Sequence, residues 1–218
     1  MATSRLLIYN GALMLCGHRS LASLTVSEEA RRLLDEVWND GGVRFCLEQA
    51  QWKFAMRAVR LDYDTSVTPS FGYRYAFSKP TDWVNTSSLC SDEYFNVPLL
   101  QYRDEAGYWY ADLDQIYLRY VSDDSNFGGD LSKWPYSFTE FVKAHFAKRI
   151  VHKLPGATEH IETVKDAFKE AIKIAKNKDA MADPTKFAAQ GGWTSARQGR
   201  RANWGPMGDG GSGGSLTG

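Results

Sequence analysis

Closely spaced aspartates are the residues of this chain whose types and spacing come nearest to a catalytic site. They form the pairs Asp62/Asp64, Asp112/Asp114 and Asp123/Asp124. Glycosidic bond hydrolysis requires two carboxylates a few ångströms apart. Aspartates in segments such as DLDQ and SDDSN are, however, also typical of turns, where the side chain accepts hydrogen bonds from nearby backbone. We therefore expect these residues to serve in turns and not in catalysis.

Other groupings that could perform chemistry are missing from the sequence. The histidines are His18, His145, His152 and His160, and His145 and His152 are spaced to share a helix face. No ligand spacing such as HExxH accompanies them, so no metal site is predicted. The chain also lacks a GxSxG nucleophile elbow, a P-loop and a GxGxxG turn. We predict no catalytic residue, no cofactor and no enzymatic activity.

Aromatic side chains are concentrated in the middle of the chain. Aromatic rings can stack on sugars or on single-stranded bases, but most of these rings are expected to fill a small core. The run Tyr108-Trp109-Tyr110 exceeds what such a core needs. We therefore predict that these three residues form a contact surface for a partner.

The segment 184–218 is rich in glycine and has no periodic apolar face. Such a segment cannot bury enough apolar area to offset the entropy of ordering its backbone. It nevertheless carries tryptophan and arginine, which are favoured anchors in protein interfaces. We predict a flexible arm that orders on a partner, with Trp193, Arg197, Arg200, Arg201 and Trp204 as its anchors. The alternative of a linker or purification remnant fits Gly210 to Gly218 (GGSGGSLTG) but not the preceding part.

Composition excludes some classes of protein. The chain has 218 residues, of which 43% are apolar, so it can bury a core as one domain or two small ones. Lys+Arg and Asp+Glu both number 26, which does not support a protein that coats nucleic acid. No apolar run reaches the length of a membrane span and no signal-peptide pattern is visible. We expect a soluble protein with reduced core thiols at Cys16, Cys46 and Cys90.

Helical periodicity occurs at both ends of the chain. Apolar residues follow helical spacing from Ser4 to Cys16 and again after a capping-box pattern at Thr25–Glu28, with Gly41-Gly42 predicted to kink or divide the second helix. A second capping box at Ser137–Glu140 precedes a helix that Pro155-Gly156 ends, and a further helix is predicted from Glu159 to Met181. The N-terminal helices cover residues 1–53 and the C-terminal helices cover residues 131–183.

The middle region, residues 54–130, has the alternation of strands. Candidate strands cover Phe54–Tyr63, Phe71–Phe77, Leu89–Gln101, Gly107–Asp112 and Ile116–Val121. The predicted class is therefore α+β. The N- and C-terminal helices are expected to form a helical bundle, with a small antiparallel β-sheet domain inserted and a flexible C-terminal tail at 184–218.

Four stretches together resemble the tail tubular protein A family of short-tailed bacteriophages. These are LLIYNGALMLCGHRSLASLTVSEEARRLLDEVWN (6–39), LEQAQWKFAMRAVRL (47–61), FGYRYAFSKPTDWVNTSSL (71–89) and WPYSFTEFVKAHFAKRIVHKL (134–154). Their order and spacing carry the resemblance, since no single motif has a mechanism of its own. Lys79 departs from the pattern, which has an apolar residue before the proline. The segment 184–218 has no counterpart in the family pattern.

The resemblance implies a structural virion protein without a cofactor, made in the host cytoplasm. Such head-to-tail adaptors form a dodecameric ring between the portal protein and the tail nozzle and help to attach tail fibres or spikes. Genomic DNA passes through the ring's channel, and no membrane is involved. The resemblance implies that the helical part faces the portal and that the β insertion, with Tyr108, Trp109 and Tyr110, faces the fibre or nozzle side. In that setting the predicted partner of the arm is the portal protein.

Two alternatives from other classes are kept. The first is a virion protein that binds or hydrolyses glycans through aromatic platforms and a pair such as Asp112 and Asp114. The second is a nucleic-acid-binding module that uses the basic residues of the arm, for which a steep salt dependence of affinity would be diagnostic.

Overall fold

The computed structural model describes residues 3–70 and 72–182, and within them the chain is a mixed α+β protein. Its helices are α1 (Arg5–Leu15), α2 (Glu29–Asn39), α3 (Gly42–Glu48), α4 (Tyr136–Ile150) and α5 (Ile161–Met181). Its strands are β1 (Met56–Asp62), β2 (Tyr75–Ser78), β3 (Trp83–Cys90), β4 (Arg103–Glu105), β5 (Tyr108–Ala111) and β6 (Gln115–Ser122). Short 3-10 turns cover Lys53–Ala55, Leu131–Lys133 and Thr158–His160. The predicted α+β class is confirmed.

The N-terminal helices begin and end for local reasons. The Ser4 hydroxyl accepts a hydrogen bond from the Leu7 N–H and caps α1. Gly41 adopts a positive φ of 79° and separates α2 from α3, as the glycine pair predicted. The capping box predicted at Thr25–Glu28 is wrong, because the Thr25 hydroxyl bonds that of Ser23 and Glu28 makes no side-chain cap.

The C-terminal helices also differ from expectation at their start. Helix α4 begins at Tyr136 directly after Pro135, so Ser137 lies inside the helix and the capping box predicted at Ser137–Glu140 is not formed. Proline fixes its own φ near the value that a helix start requires, which accounts for the earlier beginning. Helix α5 carries two ion pairs between residues three apart, of which Lys165–Glu162 spans 2.7 Å.

All five helices contribute to one hydrophobic core. Helix α4 contacts each of the other four helices. The largest buried side chains of this core include Tyr9, Leu34, Leu47, Trp52, Phe138, Phe141 and Phe146. The helices at the two ends of the chain thus share a core, although more than eighty residues separate α3 from α4 in sequence.

The β region forms two three-stranded antiparallel sheets, where the sequence predicted one. Sheet A has the order β1-β6-β3 and sheet B has the order β2-β5-β4. A tight turn at Ala106-Gly107 joins β4 to β5, and both residues have positive φ. Sheet A lies between the helices and sheet B, because Val121 of β6 belongs to the helical core whereas Ile116, Leu118 and Tyr120 belong to a second core.

Two of the predicted strands are misplaced. Of the strand expected at Phe71–Phe77, only the part from Tyr75 onward belongs to a strand, β2, and most of the strand expected at Leu89–Gln101 is a loop. The short strand β4 was missed, and so was β3, whose polar residues between Asn85 and Ser88 do not alternate with apolar ones. Two register shifts in the pairing of β3 with β6 break the apolar–polar alternation from which strands are predicted.

Candidate interaction surfaces

The predicted contact residues Tyr108, Trp109 and Tyr110 lie on the central strand of sheet B but do not share a face. Trp109 pairs with Phe77 of β2 and Asp104 of β4, and its side chain is fully buried. Tyr108 and Tyr110 point to the opposite face, where they are half-buried with ring centroids 6.3 Å apart. The prediction of a three-residue surface is therefore corrected to two tyrosines, with Trp109 as a core residue beneath them.

Trp109 takes part in a cation–π cluster that links the two sheets. The Lys79 ammonium lies 3.9 Å from the ring centroid of Trp83 in sheet A and 5.0 Å from that of Trp109 in sheet B. The same ammonium pairs with the Asp104 carboxylate at 2.6 Å, and the Trp109 Nε1–H donates to that carboxylate at 3.2 Å. The lysine side chain is 15% exposed. Lys79, the departure from the family pattern, therefore has a structural role here.

The loop 91–102 between β3 and β4, here called the projecting loop, presents apolar side chains to solvent. Tyr94 is 74% exposed and Leu100 is 84% exposed. The loop is held in shape by Asp92, whose carboxylate accepts hydrogen bonds from the N–H groups of Asn96 and Val97. These backbone donors lower the pKa of Asp92. An ordered loop that exposes large apolar groups is typical of an interaction surface.

Arg119 of β6 fixes the base of the projecting loop. Its guanidinium lies 4.4 Å from the ring centroid of Phe95, a residue with a positive φ of 57°. The Leu99 N–H donates to the carbonyl of Leu89 in β3 at 2.9 Å. These contacts tie the loop to sheet A without covering Tyr94 or Leu100.

A second exposed apolar surface lies between α4 and α5 and is here called the helical groove. It has a volume of about 590 Å³. Tyr136 at one wall is 77% exposed, and Ile174 at the other is also exposed. The lining residues are Pro135, Tyr136, Ser137, Glu140, Ala167, Glu170, Ala171, Ile174 and Lys178. This groove was not predicted from the sequence, although Ala167, Ala171 and Ile174 recur at helical spacing beside the main apolar face of α5.

Of the closely spaced aspartates, Asp64 and Asp124 serve in turns, as predicted, whereas Asp62 and Asp123 form ion pairs. Asp64 accepts hydrogen bonds from the backbone and hydroxyl of Ser66. Asp124 caps the N–H of Asn126, and Asp112 accepts from the N–H of Arg74. Within residues 3–70 and 72–182, no group of three or more His, Cys, Asp or Glu is placed to hold a metal ion.

Asp82 is the carboxylate with the most side-chain partners at the junction of sheet A and the helices. It accepts hydrogen bonds from Arg57 at 2.8 Å, from the Tyr120 hydroxyl at 3.0 Å and from the Ser122 hydroxyl at 2.5 Å. Burial acts to raise the pKa of Asp82, but these three donors outweigh it and hold the pKa below its usual value. The cluster connects β1, β3 and β6 and opens onto none of the surfaces described above.

His145 and the cysteines are buried in the cores. His145 is 4% exposed and stacks on Phe45 with ring centroids 4.6 Å apart. Burial, and then the nearby charges of Arg149 and Lys148, lower its pKa to about 4. Cys16, Cys46 and Cys90 are buried free thiols, as predicted, and burial raises the pKa of Cys16 to about 11.

The predicted anchors of the arm lie outside the described residues. These anchors are Trp193, Arg197, Arg200, Arg201 and Trp204. Among the described helices, none combines the length and the apolar character needed to cross a membrane. Comparison with protein-family models and with curated protein sequences finds no match for this chain.

Proposed function

We propose that this chain is a structural virion protein, the head-to-tail adaptor of a short-tailed bacteriophage. In this proposal it forms a ring, dodecameric as the family resemblance implies, between the portal protein and the tail nozzle. It also helps to attach the tail fibres or spikes, and DNA passes through the channel of the ring. The protein needs no cofactor for this role.

The observation that carries the proposal is the separation of the two exposed apolar surfaces. The helical groove lies between α4 and α5, and the projecting loop extends from the strands of sheet A. Clusters of large apolar residues exposed at the protein surface are typical of protein interfaces. A subunit held between two other proteins needs two distinct surfaces of this kind, whereas an enzyme needs one pocket with convergent reactive groups.

The stretches that resemble the family also support the proposal, because their tryptophans have structural roles. The buried Trp52 in the second stretch donates from Nε1 to the carbonyl of Cys46 at 2.9 Å. Trp134 in the fourth stretch donates to the carbonyl of Gly128 at 2.8 Å. These tryptophans hold the segments between helices and sheet in place. A sequence pattern built on such residues indicates a common fold and not a common reaction.

We assign the two surfaces to different partners. The helices, which we propose to be arranged as a bundle, face the portal through the helical groove. The arm at 184–218 adds anchors for the same partner, and the many arms of a ring would strengthen a modest affinity through multivalency. The projecting loop, with Tyr108 and Tyr110 of sheet B, faces the nozzle or fibre.

Mixing the purified chain with the portal ring of its own phage tests the proposal. The expected product is a stoichiometric ring of this chain stacked on the portal, observed by native mass spectrometry or cryo-EM. A chain that stays free in the presence of that portal would refute the adaptor role.

A further inference from the structure

A groove on the outer face of sheet B, here called the tyrosine groove, shares Tyr110 with the proposed nozzle or fibre contact, and its other lining residues have no role in the contacts proposed above. It has a volume of about 690 Å³. One wall is formed by Tyr110 of β5 and Arg103, which is its direct partner on β4. The other wall is the loop that precedes β2, with Tyr73 and Thr68. The strand pairing of β2, β5 and β4 thus brings together residues that are far apart in sequence.

The lining combines two aromatic rings with planar polar groups. Tyr73 and Tyr110 are half-buried, so part of each ring is held in place and part is accessible. Gln101, Arg103 and Glu105 contribute an amide, a guanidinium and a carboxylate, all exposed. A pyranose ring has an apolar C–H face that packs on an aromatic ring, and hydroxyl groups that bond both donors and acceptors. This lining offers both kinds of contact.

The polar groups of the groove are positioned before any ligand arrives. Arg103 donates to the Glu105 carboxylate at 3.0 Å, which leaves further donors on the guanidinium and further acceptors on the carboxylate. Asp112 accepts from the Arg74 N–H and thereby holds the end of the loop next to Tyr73. Gly72 has a positive φ of 93°, and among the described residues other than its chain neighbours no atom lies within 4 Å of the position that a Cβ would occupy.

Charge and strand geometry argue against other ligands. The charged lining residues are Arg103, Glu105 and Asp112, which sum to one negative charge. A site for single-stranded nucleic acid needs an excess of positive charge along the phosphates. Strand addition by a peptide is disfavoured because the edge strand β4 has only three residues, all charged. We propose that the tyrosine groove is a binding site for an uncharged saccharide.

Binding is tested on the full chain with a glycan array and then by saturation-transfer NMR with four neutral hexasaccharides: chitohexaose, cellohexaose, maltohexaose and mannohexaose. The expected result is binding of at least one class of neutral sugar, with saturation transferred to the ring C–H protons. Tyr110→Ala and Tyr73→Ala should each weaken the affinity about tenfold, because each removes one aromatic platform. Gln101→Ala, at an exposed position, should weaken binding without affecting folding.

The matched control is Tyr94→Ala, which removes an exposed tyrosine from the projecting loop and should leave sugar affinity unchanged. Thermal unfolding of every variant shows whether the fold is kept. Absence of binding to every neutral glycan of the array, or unchanged affinity in both Tyr110→Ala and Gln101→Ala, would overturn the proposal. Binding of a short oligothymidine that depends on Tyr73 and Tyr110 would assign the groove to nucleic acid instead and would also overturn it. None of these outcomes depends on whether the chain assembles with a portal.

Discussion

The ammonium of Lys79 lies 3.9 Å from the ring centroid of Trp83 and is joined to the Asp104 carboxylate at 2.6 Å. Trp83 belongs to sheet A and Asp104 to sheet B. A single charged side chain therefore connects the two sheets.

Replacing this lysine should loosen the contact between the sheets. Lys79→Met keeps the length of the side chain but removes the charge, so we expect the free energy of unfolding to fall by about 1–2 kcal/mol. Urea unfolding followed by tryptophan fluorescence measures the loss. Lys176→Met, at an exposed position of α5, is the control and should leave stability unchanged. Equal stability of the two variants would show that the cluster contributes nothing.

His145 should make the protein less stable in mild acid. Its folded-state pKa is lowered from 6.5 to about 4, so the unfolded chain takes up the proton first as the pH falls. Stability is therefore highest above the unfolded value and decreases between pH 6.5 and about pH 4. The full loss from this residue is about 3 kcal/mol. Urea unfolding near neutral pH and at about pH 4.5 measures most of it.

His145→Phe is the variant that isolates this effect. Both ring nitrogens of His145 are buried without a hydrogen-bond partner among the described residues, and phenylalanine has a similar shape without polar atoms to bury. We expect the variant to be more stable at neutral pH by about 1–2 kcal/mol and to lose much of the decrease in mild acid. His152→Phe, at an exposed position, serves as the control. A variant with the original pH dependence would show that other groups cause it.

Two glycines with equally little space should respond differently to alanine. A Cβ at Gly128 would overlap the carbonyl oxygen of Ser122, whereas a Cβ at Gly11 would meet only the flexible side chain of Lys143. Gly128→Ala should therefore cost about 3 kcal/mol or more, and Gly11→Ala less than about 1 kcal/mol. Thermal unfolding of the pair is the measurement. Similar melting temperatures would contradict the close backbone contact between Gly128 and Ser122.

The two apolar surfaces should be separable by mutation. Ile174→Asp in the helical groove should abolish binding to the portal, because a carboxylate would be desolvated in the interface. Leu100→Asp in the projecting loop should instead abolish binding to the nozzle and leave portal binding intact. Both residues are exposed, so neither change should reduce stability by more than about 0.5 kcal/mol. Loss of both partners in either variant, measured by co-sedimentation with each, would contradict the assignment.

The arm at 184–218 should contribute to portal binding separately from the helical groove. Truncation from Pro184 onward, or the double change Trp193→Ala and Trp204→Ala, should weaken portal binding at least about tenfold. Truncation of Gly210–Gly218 alone is the matched control, because this part has the composition of a linker and should not contribute to portal affinity. Surface plasmon resonance on immobilised portal rings measures all three. Unchanged affinity after removal of residues 184–218 would refute the arm's role.

Much of the fold could be predicted from the sequence where periodicity is strong. The apolar spacing of α1 and α5 and the alternation of β1 and β6 all correspond to observed elements. Strand β3 could not be found because bulges and a polar run remove its alternation. The predictions of capping boxes were wrong because neighbouring residues, above all Pro135, determine where a helix begins.

The candidate surfaces were less predictable than the fold. Strand alternation alone places Trp109 on the face opposite Tyr108 and Tyr110, so the separation of Trp109 from the two tyrosines could have been predicted from the sequence. The tyrosine groove was not, because Tyr73 and Tyr110 are brought together only by pairing of strands whose register the sequence does not specify. The role of Lys79 likewise depends on the meeting of two sheets.

The most direct test of the proposed adaptor role is the mass of the assembly that this chain forms when it is mixed with the portal ring of the proposed phage. Native mass spectrometry of the chain alone, the portal alone and their mixture gives that mass, and cryo-EM shows the arrangement. We expect a ring of this chain stacked on the portal in fixed stoichiometry, with α4 and α5 at the portal face. A mixture in which the chain and the portal keep their separate masses would contradict it.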